Sequence, residues 1–281
     1  MTAILLDFSQ RRELTAQARI VSDVESAAKT LKLATIVAGA FARDLHVLYA
    51  HGINIARQTE DLDFGIAVRD WNAFAKLKRR LTEGGNFREV PGAQHRLRHK
   101  SDLPVDMVPF EGVETGNRQI DWPPGGEIRM DVFGFREALA TAQRVLLPGS
   151  VGTRIVSLPA LVLLKLVAWH DRHYRAPGKD AHDLMLVCSR YLDLGNRERL
   201  WDEFAAWTEE DDFDYAHAGA RMLGIDMRRM LDRNGRDRIA RILAEQCDTE
   251  SPGLLPQEMH PHESDQARAL LRKILEGLAE D

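Results

Sequence analysis

Cysteine is almost missing from this chain. Of 281 residues only Cys188 and Cys247 carry a thiol, with no C-x-x-C spacing, so a disulfide framework is excluded and a reducing cytosol is the expected setting. Long apolar runs are missing too. No stretch of 18 apolar residues occurs, so no membrane span is expected. Residues Met1 to Gln10 hold a short apolar run but neither a basic leader nor a cleavage-like site, and no targeting segment is expected from them. Positive charge is in deficit: a formal net charge of -5 disfavours wholesale coating of DNA and leaves room only for a local basic groove. Repeats and low-complexity tracts are absent as well. What is present, 44% hydrophobic and 29% charged residues, is the composition of an ordinary globular protein, long enough for one large domain or two smaller ones.

The chain is organised around the stretch Val37 to Ile66. Thr35, Ile36, Val37 and Ala38 read as a buried strand, Gly39 gives a sharp turn, and Phe41 to Ala50 has helical spacing that Gly52 ends. A strand, a small-residue turn and a helix start make a place to hold phosphate, because unpaired backbone N–H groups and the helix dipole point there. Downstream, Asp61 and Asp63 open the run Leu62 to Val68. Alternate side chains of a strand share a face, so the two carboxylates project together while Leu62, Phe64 and Ile66 face the core. Paired carboxylates repel unless a cation lies between them, and Mg²⁺ is a hard ion that takes oxygen ligands. The plainer reading makes Glu60, Asp61 and Asp63 solvated charges at a strand entrance. Arg43, one turn into the helix, either reaches a phosphate or pairs with Asp44.

Before this stretch, Ser9 is expected to cap a helix from Gln10 to about Leu31; after it, Asp70 is expected to cap one through Leu81. Short strands follow at Phe87 to Val90, Gln94 to His99 and Leu103 to Pro109. The last carries Asp106 inside an apolar run, and a charge in a core strand needs a partner or a job. Either Asp106 pairs with Arg96, Arg98 or Lys100 across the hairpin, or it completes a metal cluster with Asp61 and Asp63. Thr115 to Gly126 reads as a loop, Glu127 to Phe133 and Arg144 to Leu147 as strands around a helix Phe135 to Gln143, and Pro148 to Gly152 as a boundary. A strand at Arg154 to Val156 then leads to Ser157 and Pro159, which open a helix to Arg172. Lys165 lies inside its most apolar run and either snorkels or meets an anion. The next helix, Lys179 to Tyr191, carries Asp180 and Asp183 on one face, with Lys179 spaced for a surface pair with Asp183. From Asn196, expected as a helix cap, the pattern is helical. Its arginines, Arg228 to Arg241, read as a solvated face more readily than a nucleic-acid one, and His260 and His262 lack further metal ligands.

In order and spacing these pieces resemble the DNA polymerase beta type nucleotidyltransferase superfamily, in its bacterial branch of abortive-infection and toxin nucleotidyltransferases. The resemblance rests on Gly39 and Ala40 after a strand, Arg57 and Thr59, Asp61 and Asp63, and Asp106 on a later strand. A second block continues it: Ser157, Leu158, Pro159, Lys165, Leu166, Ala168 and Arg172, then Lys179, Asp180, Asp183 and Leu184. It implies an α+β fold, with an N-terminal catalytic domain (residues 1–150) built on a mixed sheet flanked by helices. A mainly helical C-terminal domain (residues 151–281) contributes to the nucleotide site. It implies that Asp61, Asp63 and Asp106 are catalytic and hold two Mg²⁺ ions, with Asp106 also accepting the proton of the incoming hydroxyl. The nucleoside triphosphate would be bound by Gly39, Ala40, Arg43, Arg57, Thr59, Lys165, Lys179, Asp180 and Asp183. Ala40 departs from the many relatives that have a serine there, which leaves the backbone donors without a hydroxyl.

The implied reaction transfers a nucleoside monophosphate to an acceptor hydroxyl: the 3′ end of tRNA in toxin-type relatives, an antibiotic or a protein in others. An antitoxin partner follows from the same resemblance, while a cytoplasmic location is expected from the cysteine usage and the lack of an apolar span. Two other classes compete. His170–Asp171 and His182–Asp183 suggest an HD-type phosphohydrolase, which is all helical and leaves the strand carboxylates unexplained. A non-catalytic nucleotide-binding or interaction module would have no need of clustered like charges.

Overall fold

The computed structural model describes residues 5–55, 59, 61–126, 128–175, 177–248 and 253–280. The chain divides into two compact units, Met1–Ser157 and Leu158–Asp281. The expected boundary at residue 150 therefore moves past one further strand, because the segment after the Gly149 turn pairs back into the first unit's sheet.

In chain order the first unit contains β1 (Leu5–Asp7), α1 (Thr15–Thr30), β2 (Ala34–Ala38), α2 (Gly39–Asp44, continued by a wider π-type turn to Ala50) and β3 (Leu62–Val68). It goes on with α3 (Trp71–Glu83), β4 (Phe87–Glu89), β5 (Arg96–His99), β6 (Pro104–Glu111), β7 (Gln119–Asp121), β8 (Arg129–Asp131), α4 (Phe135–Ala140), β9 (Gln143–Leu147) and β10 (Val151–Ile155). Eight strands form one mixed sheet in the order β1-β9-β10-β2-β3-β6-β5-β4. The pairs β1–β9, β10–β2 and β3–β6 are parallel and the rest antiparallel. Helices α1 and α3 pack on each other and on its strands, and α4 packs against β2 and β6. The core holds the expected apolar residues Ile36, Leu62, Phe64, Ile66 and Leu77, joined by Leu97, Met107 and Phe110, all under 2% exposed. Asp70 does cap α3, accepting from the Ala73 N–H at 2.7 Å.

Local chemistry explains the departures. The first helix begins at Thr15 rather than Gln10: the Ser9 N–H donates to Asp7 Oδ1 at 2.8 Å in a turn, and a short 3₁₀ turn, Arg12–Leu14, precedes the helix. The stretch expected as a loop from Thr115 to Gly126 contains β7, which pairs with β8 in a small hairpin of its own; three residues are too few to show a period. Expected strand residue Glu127 lies outside the described residues.

The second unit is helical: α5 (Leu158–Arg172), α6 (Lys179–Arg190), α7 (Arg197–Asp202), α8 (Tyr215–Met230), α9 (Arg233–Cys247), α10 (Leu254–Met259) and α11 (Ser264–Ala279). Helix α11 packs on α8 and α9, and α6 on α5 and α8. Asp214 and Asp232 cap α8 and α9 through the N–H groups of His217 and Gly235. Asn196 precedes α7 without capping it; its amide donates instead to the Tyr191 carbonyl at 2.9 Å. No described helix is long and apolar enough to cross a membrane.

Candidate active site

Three strands and one turn meet at the C-terminal end of β2. Antiparallel pairing sets Ala38 opposite Asp63, so the residue after β2, Gly39, stands beside that carboxylate. Gly39 has φ +64°, and a Cβ there would collide with the Asp63 carboxylate. Glycine is thus required for its backbone angle and for the lack of a side chain. Gly39 and Ala40 open α2 and are partly exposed.

Parallel pairing of β3 with β6 sets Asp63 opposite Asp106. Residues in register on neighbouring strands share a face, and Asp61, two positions before Asp63, shares it as well. Each of the three carboxylates offers an oxygen, and these oxygens all lie within 4.8 Å of one another. Further along the same face of β3, Phe135 of α4 fills the space over Gly65 and stacks on Phe110 with ring centroids 5.6 Å apart. An all-carboxylate donor set of this span suits a hard divalent ion such as Mg²⁺. Among the described residues no other set of His, Cys, Asp and Glu side chains is gathered closely enough to hold a metal. The His–Asp pairs at residues 170–171 and 182–183 and the histidines at 260 and 262 form no such group.

Asp106 both pairs across the hairpin and stands with the other two acids. Register sets Arg96 of β5 opposite Asp106, and its Nε and Nη2 donate to Asp106 Oδ1 and Oδ2 at 2.6 and 2.7 Å. Arg96 Nη2 also comes within 3.8 Å of Asp61 Oδ2. The hydrogen bonds to Asp106 raise the Arg96 pKa against the lowering effect of burial, helped by the charges of Asp106, Asp61 and Asp63. Arg96 is the site residue that spacing alone did not single out. Its signal was present as one of three candidate partners for Asp106.

On the other side of Gly39, Arg43 and Asp44 are each 5% exposed. Arg43 Nη2 donates to Asp44 Oδ1 at 2.6 Å, the pairing that competed with phosphate contact. Asp44 Oδ2 accepts from the Thr59 hydroxyl at 2.5 Å and from the Thr59 N–H at 3.2 Å. Asp44 thereby ties α2 to the segment that enters Asp61. Arg57 lies outside the described residues.

In the second unit Lys165 meets an anion rather than snorkelling. Its Nζ donates to Asp180 Oδ1 at 2.9 Å and lies 2.7 Å from Asp183 Oδ2. Arg172 Nη2 approaches Asp180 Oδ2 at 3.5 Å. Burial alone would lower the Lys165 pKa, but the two aspartates outweigh it and raise it. Lys179 is exposed at the start of α6.

No curated protein matches the chain. Among solved structures it is similar to ANT(2")-Ia in complex with adenylyl-2"-tobramycin, with 16% identity over 68% of this chain and 98% of that one, TM-score 0.40. It is also similar to an antigenic nucleotidyltransferase-like protein from Paracoccidioides brasiliensis, with 16% identity over 69% of this chain and 92% of that one, TM-score 0.38. The profile of the family described as nucleotidyl transferase AbiEii toxin, Type IV TA system, matches residues 24–273. With that match spanning seven of the sheet's eight strands, the acidic cluster and most of the helical unit, the chain belongs to the AbiEii nucleotidyltransferase family.

Proposed function

We propose that this nucleotidyltransferase moves a nucleoside monophosphate from a nucleoside triphosphate to an acceptor hydroxyl, using Asp61, Asp63 and Asp106 as ligands for Mg²⁺. The observation that carries the reading is the register of β2, β3 and β6, which puts a glycine turn and three carboxylates at one end of the sheet. Mg²⁺ held there would supply Lewis-acid stabilisation of the charge on the transferring phosphoryl group. Gly39 and Ala40 present backbone N–H groups to the triphosphate, and the absence of a side chain at Gly39 keeps those donors close to the acids. Asp106 takes the proton of the acceptor hydroxyl. Arg43 and Thr59 serve the nucleotide indirectly, through the Asp44 contacts that steady the approach to Asp61. Arg57, Lys165, Lys179, Asp180 and Asp183 are assigned to the nucleotide by the resemblance of their motifs to the family. The acceptor we favour is the 3′ end of a tRNA in the cytoplasm, with an antitoxin protein as regulatory partner, in keeping with the toxin description of the family.

Incubation of the protein with each labelled nucleoside triphosphate, Mg²⁺ and total RNA tests this. Label is expected in the tRNA fraction with release of pyrophosphate, and Asp61→Asn is expected to abolish transfer while the protein stays folded. Unchanged turnover in Asp61→Asn would reject the metal assignment. Label in a small molecule or a protein would replace the acceptor, and release of inorganic phosphate without transfer would point to hydrolysis instead.

A further inference from the structure

Three carboxylates whose oxygens lie within 4.8 Å of one another need positive charge whether or not a metal is bound, because their mutual repulsion otherwise opposes folding. Arg96 supplies it from within the chain. Its place is set by backbone register, opposite Asp106 on the neighbouring strand, and not by a flexible surface reach. Its two-pronged grip at 2.6 and 2.7 Å engages both oxygens of Asp106, the strongest geometry a guanidinium and a carboxylate form. The same guanidinium is 3.8 Å from Asp61, so it spans two of the three acids. Being an arginine, it cannot shed its charge to make room for another cation.

We propose that Arg96 is the internal counter-cation of the acidic cluster, holding Asp106 and Asp61 together in the metal-free protein and competing with the divalent ion for the same carboxylates. The inference rests on the metal reading above and deepens it by naming the residue that sets metal affinity. Arg96 is a positioning residue that acts through Asp106. A divalent ion and a guanidinium cannot share these oxygens without repulsion across a few ångströms. Metal uptake therefore loosens the Arg96 grip, and the grip weakens metal uptake by the same factor. A purely structural Arg96 makes the opposite prediction, since its loss would disorder Asp106 and weaken metal binding.

The test is calorimetric titration of Mn²⁺ into the full chain, wild type, Arg96→Gln and Arg96→Lys, with thermal melts in EDTA and in saturating Mn²⁺. Arg96→Gln is expected to bind Mn²⁺ about tenfold tighter or more than wild type. Its melting temperature is expected to fall in EDTA and to recover most of the difference in Mn²⁺. Arg96→Lys keeps the charge without the fork, and its Mn²⁺ affinity is expected to stay within about threefold of wild type. Equal or weaker Mn²⁺ binding by folded Arg96→Gln overturns the proposal. Should that variant fail to fold, hydrogen exchange of the Arg96 Nε–H in the wild type decides: slow in EDTA and faster with Mg²⁺ is expected, and no change at saturating Mg²⁺ overturns it. Failure of the metal reading has its own signature, in which neither wild type nor Arg96→Gln takes up Mn²⁺, and the proposal then falls with it.

Discussion

Exchanging Lys165 for methionine removes a charge from the middle of a buried ion cluster while keeping most of the volume. Lys165 is 8% exposed, Asp180 4% and Asp183 7%, and the lysine contacts both carboxylates at under 3 Å. In the variant both acids would lose the lysine, and Arg172, which lies 3.5 Å from Asp180, has a side chain 46% exposed. Deleting one partner of a buried pair costs about 3–5 kcal/mol, because the charge left behind stays desolvated. The pH dependence follows from the sign of the shift. The aspartates raise the Lys165 pKa, so its contribution is fully present below the unfolded lysine pKa of about 10.4 and is lost only as pH rises through the still higher folded value. Between about pH 5 and 9 the wild-type contribution is therefore flat. The variant's deficit is not, since a buried carboxylate that has lost its lysine takes up a proton more readily on mild acidification and sheds its desolvation cost. Urea unfolding followed by tryptophan fluorescence is expected to show a loss of about 3–5 kcal/mol at pH 8, smaller by about 1 kcal/mol or more at pH 5.5. A loss below about 1 kcal/mol that does not vary with pH would refute the account of Lys165 as the centre of a buried cluster. Nucleotide affinity belongs in the same experiment, measured where the variant is fully folded. Lys165→Ala, which deletes packing together with charge, would confound the two effects.

Gly39→Ala forces an alanine to φ +64° and drives its methyl group into Asp63. We expect about 1–2 kcal/mol of lost stability from the backbone and, from the displaced carboxylate, roughly a hundredfold lower transfer; wild-type kcat in this variant would remove Gly39 from the site. His46 is 3% exposed, and its Nε2–H donates to the Val156 carbonyl at 2.7 Å. Burial pushes its pKa down to about 4 from 6.5. The unfolded chain thus binds a proton that the folded state refuses, so stability is fully present above pH 6.5 and falls, by up to about 3 kcal/mol, as pH drops towards 4. Unfolding free energies at pH 7.5 and 5 should show a shallower slope for His46→Gln than for wild type, and equal slopes would count against this. Thr59→Val deletes the hydroxyl on Asp44 and is expected to cost about 1–2 kcal/mol and to raise the KM for the triphosphate; an unaltered unfolding midpoint would show that the contact carries nothing.

Much of this architecture could be read from periodicity. The i, i+2 spacing of Asp61 and Asp63 and the apolar residues between them placed both acids on one face of a strand, and β3 realises that face with Leu62, Phe64 and Ile66 buried. Spacing says which way a side chain points but not what stands across from it. Arg96, Arg98 and Lys100 were equivalent partners for Asp106 in the sequence, and a strand register decided among them. Arg96 is opposite Asp106 and Arg98 is opposite Pro104, whereas Lys100 has left the strand and donates to Asn86. The same holds for Lys165, whose anions lie 15 and 18 positions away on the next helix and are themselves the acids of the second motif. Polar pairing by tertiary contact is the information a single sequence carries least well, because one charge satisfies many partners equally until the backbone selects one. That selection also explains why two readings of Asp106 looked exclusive. A carboxylate has two oxygens and several lone pairs, so Asp106 accepts an arginine while standing beside its neighbouring acids, and a cation that competes for those oxygens is a counter-ion to the cluster and not evidence against it. In this cluster Arg96 places positive charge against two of the three acids.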